Sequence, residues 1–311
     1  MLGDVGDGKG ERVGGAVNGL ISLNDFEELE HVIPNLTSPA GPGDADDEGD
    51  GPRPPAPPRP SGPPPEKTIV VIGGGFLGTE VSLAMASRAR SYNATRSPSQ
   101  PRVKILQIYA ERSPLSTYLP SYLSQDVKDR MSRHGVECIE ERLVTDLHEA
   151  SEGSSGPCVA MNVVGESRST LAADYVVMAS STISPNTGTA GRSGLELDPS
   201  NGGIVVNDTF EACNGVYAAG SCASYFDKNL GRRRVNRYDH SVNSGLLAGY
   251  NMVSSSEDGT QKAYEHQPAV RSYLGDINVS CESIGEINSD LSTVGVWIST
   301  RNAGEKGWQE K

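Results

Sequence analysis

The stretch Val70-Val71-Ile72-Gly73-Gly74-Gly75-Phe76-Leu77-Gly78-Thr79-Glu80 decides the fold. The apolar run from Thr68 to Ile72 reads as a buried parallel strand, and it enters a G-x-G-x-x-G turn. In such a turn Gly73 takes the tight bend, Gly75 lets backbone N–H groups approach a pyrophosphate, and Gly78 lets helix and strand pack closely. Leu77, Val81, Ala84 and Met85 then recur at helical spacing, and the stripe turns polar at Arg88. The helix start presents unpaired N–H groups and a positive dipole end, which suits phosphate. Glycines alone would be a weak signal. The strand before them and the helix after them make it specific.

The chain has 311 residues and a net charge of −13, enough length for two ordinary domains and a tail. Its one dense basic run is Arg232-Arg233-Arg234, which reads as a solvated loop or a phosphate contact. Nucleic acid binding needs a positive stripe, so this balance argues against it. No apolar stretch reaches the ~18–20 residues needed to span a bilayer. The first 33 residues hold seven carboxylates, whereas a mitochondrial transit peptide is acid-poor and arginine-rich, so none is visible. The five cysteines (Cys138, Cys158, Cys213, Cys222 and Cys281) contain no C-x-x-C pair, and the five histidines lack metal-ligand spacing. Neither a disulfide scaffold nor a metal site is expected.

Residues 34–66 carry twelve of the twenty prolines and the acidic run Asp44-Ala45-Asp46-Asp47-Glu48. They read as a disordered linker with polyproline II character. Beyond it, strand 68–72 and helix 78–90 lead through a polar loop at 91–101 to a strand at 103–109. A helix bearing Leu123, Val127 and Met131 stops at Gly135, and strand 136–139 follows. Segments 142–149 and 159–164 alternate around a turn at 153–156, and 175–179 is a fully apolar strand. This predicts an α/β, Rossmann-like βαβαβ unit with a β-meander crossover. Short strands are expected at 203–207 and 215–220, a helix at 240–252, and a strand-like run at 293–298. Glu111 ends the second strand, where an acidic residue accepts hydrogen bonds from NAD ribose hydroxyls; a solvated strand-end carboxylate reads equally well. Arg112 is placed to cover adenine or to meet a 2′-phosphate, so NADH and NADPH both stay open.

From Thr68 to about Trp297 the chain resembles the apoptosis-inducing factor family of mitochondrial flavoprotein NADH oxidoreductases. The strings that carry the resemblance are residues 71–80, Leu119-Pro120-Ser121-Tyr122-Leu123, Leu230-Gly231-Arg232-Arg233-Arg234-Val235, Tyr238-Asp239-His240-Ser241-Val242 and Gly249-Tyr250-Asn251-Met252. Residues 22–30 also resemble the helix that precedes the family's NADH domain. The resemblance implies a Rossmann-like NADH-binding domain at 67–190 inserted in an incomplete FAD-binding domain. The second FAD segment would be 191–253, and 254–311 would start an α+β C-terminal domain of the dimerisation type. Residues 1–33 are then a remnant without a strand and G-x-G-x-x-G of their own, and the chain is expected to be truncated at both ends.

The resemblance also assigns residues to the cofactors. Phe76 and Leu77 border the nicotinamide with Glu80 just beyond, Glu111 binds ribose, and Glu282 holds the nicotinamide amide. Several positions depart from the family pattern. The A-G-D aspartate that binds a ribityl hydroxyl is Ser221, after Gly220; the paired histidines near the flavin are Arg237 and Tyr238; the tryptophan of W-S-D-L-G is Arg271; and the glycine closing the last NADH strand is Ser181. The expected activity is hydride transfer from NAD(P)H to FAD, with no protein acid or base. The alternative is a non-catalytic NAD(H)-binding or interaction module that has lost FAD. The resemblance further implies mitochondrial location in the intermembrane space, an apoptotic role and a homodimer formed on NADH binding; with no transit peptide visible, the cytoplasm and the nucleus stay open.

Overall fold

In a computed structural model of the chain, the described residues are 17–19, 23–37, 66–149, 159–164, 168–179, 184–257, 261–296 and 298. The elements open with β1 (Val17–Gly19), α1 (Leu23–Thr37), β2 (Glu66–Ile72), α2 (Phe76–Thr95), β3 (Arg102–Ile108), α3 (Ser121–His134) and β4 (Val136–Ile139). A three-stranded antiparallel meander follows, β5 (Leu143–Glu149), β6 (Val159–Val164) and β7 (Arg168–Ala173), and then β8 (Tyr175–Met178). The main sheet is parallel throughout, in the order β1-β8-β2-β3-β4. This is the mononucleotide-binding arrangement, with helices on one face of the sheet and the meander on the other.

The two-residue period of a strand splits the apolar run at 69–72 between those layers. Ile69 and Val71 join the helices α1–α3 in one core, while Val70 and Ile72 pack with Val144, Val163 and Ala173 of the meander in another. Such strands, buried on both faces, read as continuous apolar runs. Asp174 anchors the entry to β8: its carboxylate accepts from the Thr68 amide at 2.8 Å and from Lys67 Nζ at 2.8 Å.

A second unit holds α4 (Gly188–Arg192), β9 (Ile204–Val205), β10 (Glu211–Cys213), β11 (Val216–Tyr217), a 3₁₀ turn at Gly220–Cys222, β12 (Ala223–Asp227), β13 (Gly231–Arg234) and α5 (Tyr238–Glu257). Its core stacks Tyr225 on His240 (5.0 Å between centroids), with Tyr264 edge-on to both and Phe210 tilted against them. The hairpin β14 (Ala269–Leu274) and β15 (Val279–Ile284) then packs back on α2.

Several expectations change. Composition starts the proline-rich segment at residue 34, but α1 runs through Pro34 to Thr37, with Val32 and Ile33 buried; β2 in turn already begins at Glu66. Residues 38–65 lie outside the described residues, as do the 153–156 turn, Ser181 and Trp297. The polar loop shortens because α2 continues to Thr95, with Ser91 and Thr95 hydroxyls donating to carbonyls one turn back. Ala84 is exposed, although its spacing puts it on the apolar stripe. The burial of α2 instead includes Gly78, Ser82, Leu83, Ala86 and Ala89, because sheet, α3 and hairpin all pack on it. Residues 215–220 form only the short β11 before the 3₁₀ turn, with Gly220 at φ +74. Residues 293–296 and 298 form no strand, and Val294 and Val296 are exposed.

Candidate functional site

Strand β2 delivers the chain to Gly73, whose φ of +129 only glycine adopts readily. Its amide donates to the Ile108 carbonyl at 2.9 Å, and its carbonyl accepts from the buried Gln107 side chain at 2.8 Å. The turn is therefore stitched to β3 on both sides. Gly78 is dictated by space: a Cβ there would sit 2.2 Å from the Gly73 carbonyl oxygen. A Cβ on Gly75 would meet nothing within 4 Å. Gly75 caps α2 without a side-chain bond, so the amides of Gly74, Gly75, Phe76 and Leu77 have no hydrogen-bond partner among the described residues. Open space in front of unpaired amides at the start of a 20-residue helix fits an anion.

The loop after β3 folds over this turn. The Leu115 amide donates to the Gly74 carbonyl at 2.7 Å, and Leu115 is held at φ +63, a conformation that costs a branched side chain about 1–3 kcal/mol. Glu111 is placed by the same loop. Its carboxylate oxygen lies 3.1 Å from where a Gly74 Cβ would stand, and it has no partner among the described residues. Phe76 stacks on Tyr118 from the loop, 4.9 Å between centroids, and half-buried Leu77 packs on the helix-side core. These residues make one corner: amides, a free carboxylate and an aromatic wall, all beside the carboxyl end of the sheet.

The remaining expected residues are spread more widely. Glu80 accepts a hydrogen bond from the Ser272 hydroxyl, which ties α2 to the hairpin. Arg112 pairs with Glu141 at 3.3 Å, and Glu282 pairs with Arg271 at 3.0 Å; both pairs are exposed. Gly220 and Ser221 belong to the second unit. The Gly220 amide donates to the Ser244 hydroxyl at 2.9 Å, and the Ser221 carbonyl accepts from Arg234 at 3.1 Å. The three-arginine run is neither a free loop nor a free cation patch: Arg232 and Arg234 donate to carbonyls at Ser224 and Ser221, and Arg233 faces Asp227. Tyr118 also lines a cleft of about 160 Å³ with Arg233, Arg234, Arg237 and Val270.

Gln107 escaped the sequence reading. It holds Gly73 from within the sheet, and a lone glutamine in the run Val103–Ile108 is the only local signal of it. Leu115 and Tyr118 also act on the turn, but nothing in their local sequence marks that role. Among the described residues no cluster of His, Cys, Asp and Glu could hold a metal ion, and no helix is long and apolar enough to cross a membrane.

Comparison with known proteins agrees with this layout. Residues 44–245 match the pyridine nucleotide-disulphide oxidoreductase family, and residues 248–309 match the C-terminal domain family of mitochondrion-associated apoptosis-inducing factor. Over 232 residues the chain is 37% identical to a putative mitochondrial apoptosis-inducing factor 1 of Drosophila melanogaster (75% of this chain, 28% of that protein). It is 38% identical over 232 residues to apoptosis-inducing factor 1, mitochondrial, of Dictyostelium discoideum (74% of this chain, 40% of that protein). The chain thus spans well under half the length of these relatives. In fold it is similar to putidaredoxin reductase in its covalent complex with putidaredoxin (TM-score 0.60, 17% identity, 87% of this chain, 51% of that one). It is similar also to the water-forming NADH oxidase from Lactobacillus brevis (TM-score 0.55, 16% identity, 83% of this chain, 45% of that one). With a family match over most of its length, this chain belongs to the pyridine nucleotide-disulphide oxidoreductases, and among them it is apoptosis-inducing-factor-like.

Proposed function

We propose that this chain binds NAD(H) at the 73–78 turn and serves as the nicotinamide-binding part of an NAD(P)H-dependent flavoprotein oxidoreductase. The observation that carries the reading is the open cradle: amides at the start of α2 and the Glu111 carboxylate beside them, all without a partner among the described residues, and clear space at the Gly75 Cβ position. In this reading Gly73, Gly75 and Gly78 shape the pyrophosphate site, and Glu111 accepts from the adenosine ribose hydroxyls. Phe76 and Leu77, backed by Tyr118, wall the nicotinamide, and Glu80 holds that wall to the hairpin through Ser272. Arg112 is given the adenine side. Ser181, Gly220, Ser221 and Glu282 are assigned to the flavin and nicotinamide side by resemblance. When both cofactors are bound, they supply hydride transfer from the dihydronicotinamide to the flavin; the protein supplies stacking and orientation.

The proposed division is an NAD(H)-binding domain at 67–190, a second FAD segment at 191–253 and the start of a C-terminal domain at 254–311. The names of the relatives support a mitochondrial location and an apoptotic role, with the intermembrane space and a homodimer formed on NADH binding as the finer reading. The −13 charge disfavours nucleic acid as a partner.

One group of observations favours a second reading, an NAD(H)-binding module without flavin. Ser221 brings no charge to the ribityl position, the Gly220 amide is already spent on Ser244, and Arg271 pairs with Glu282 where the family places a tryptophan. Purification separates the two readings. A yellow protein absorbing near about 450 nm that also binds NADH supports the oxidoreductase, a colourless one that binds NADH supports the module, and loss of NADH binding refutes both.

A further inference from the structure

We propose that the cavity at the amino-terminal edge of the parallel sheet is a second binding site, for a small organic monophosphate. It has a volume of about 480 Å³ and lies between the carboxyl-terminal half of α2, the start of β3 and the end of α3. That is the size of pocket that takes a drug-sized molecule. Its floor is apolar, made by Ala86, Ala89, Val103 and Ile105. Its rim is cationic: Arg90, Arg102, Lys104 and Arg133 stand there against a single lining carboxylate, Glu66. Lys104 is paired with Glu137 at 2.5 Å, but the three arginines have no carboxylate partner among the described residues. Arg90 donates to the His134 carbonyl and Arg133 to the Asp129 carbonyl, while the Arg102 side chain makes no hydrogen bond to a described residue.

On a chain of net charge −13, three guanidinium groups around one cavity with no carboxylate partner among the described residues are a local reversal of sign. Guanidinium forks match phosphate geometry, and burial of an apolar body on the floor adds to them. The mouth stands apart from the dinucleotide cradle. Strand β2, seven residues long, begins at Glu66 in this cavity and ends just before Gly73 at the cradle, a separation of roughly 20 Å. Both sites touch α2, the cradle at its first turn and the cavity near its last turns.

The test is a calorimetric titration of the full chain with phenyl phosphate and with inorganic phosphate at fixed ionic strength. Phenyl phosphate should bind once per chain, and inorganic phosphate about tenfold more weakly for want of the apolar body. Arg102→Gln should weaken phenyl phosphate about tenfold, and Arg102→Glu with Arg133→Glu about a hundredfold or more, with the NADH titration unchanged. Phenyl phosphate binding that is unaltered by these variants, is displaced by NADH, or does not saturate would overturn the assignment.

Discussion

Replacing Gly75 by serine separates what the fold needs from what the ligand needs. Gly75 has φ −78 and ψ −176, an extended conformation open to any residue, and its Cβ position is clear to 4 Å. Serine at a helix N-cap accepts a hydrogen bond from an amide in the first turn, which improves on glycine by a few tenths of a kcal/mol. Loss of glycine's freedom in the unfolded chain adds about 0.4–1 kcal/mol. The sum, about 1 kcal/mol, should raise Tm by roughly 2–4 °C for a domain of this size. The same side chain fills the cradle and consumes one of the amides proposed to hold the pyrophosphate. Losing one to two charge-assisted hydrogen bonds, at about 1.5–3 kcal/mol each, weakens NADH by about tenfold at the least and by about a hundredfold for one strong bond. Calorimetric titration with NADH and a thermal melt on the same sample read both effects. A more stable Gly75→Ser protein that binds NADH within about twofold of the parent would refute the cradle.

Gly78→Ala should do the reverse. Its Cβ would lie 2.2 Å from the Gly73 carbonyl, a backbone atom held by Gln107, so chemical denaturation should show a loss of about 1–3 kcal/mol or more. Glu111→Gln should leave Tm unchanged, since the carboxylate has no partner among the described residues, and cost about tenfold in NADH affinity; a fall in Tm without loss of affinity would mark the residue as structural. Burial pushes the His240 imidazole down to about 4, so between pH 6.5 and 4 the unfolded chain binds the extra proton and stability falls as pH is lowered. Urea midpoints at pH 7 and pH 5 should differ by about 2 kcal/mol in stability, and His240→Asn should remove most of that slope. Hydrogen bonds from Ser200 and Ser224 hold Asp198 down to about 2, so its contribution, about 2 kcal/mol, is complete above pH 4 and fades towards pH 2; Asp198→Asn should flatten that acid limb.

What could be read from the chain was what is local. The runs 68–72 and 175–178 announce the centre of the parallel sheet because strands buried on both faces are apolar along their length, while the glycines and the partly apolar segments at 103 and 136 place its neighbours, the last an edge strand with Glu137 exposed. Glycine at 73 and 78 is forced by a positive φ and by a close backbone approach, both encoded within six residues. Non-local packing stayed hidden. Ala84 has the right spacing but faces solvent, since which side of α2 is covered depends on a hairpin about 190 residues away, marked by the Ser272–Glu80 bond with its sequence separation of 192. Strand β1 is three residues without a pattern of its own, visible only through its pairing with β8. The run at 293–298 has β-branched residues, yet among the described ones no neighbouring strand offers a ladder, and propensity alone forms none. The placement of Glu111 beside the turn follows from its position at the strand end, whereas Gln107, Leu115 and Tyr118 act on the turn across tens of residues.

The most direct measurement is amide NMR of the ¹⁵N-labelled chain during addition of NADH. The amide signals of Gly74, Gly75, Phe76 and Leu77 should move together and saturate at one equivalent, with the residues around Glu111 following. If those four amides stay in place while NADH is added, or if only distant residues respond, the dinucleotide does not sit on this turn.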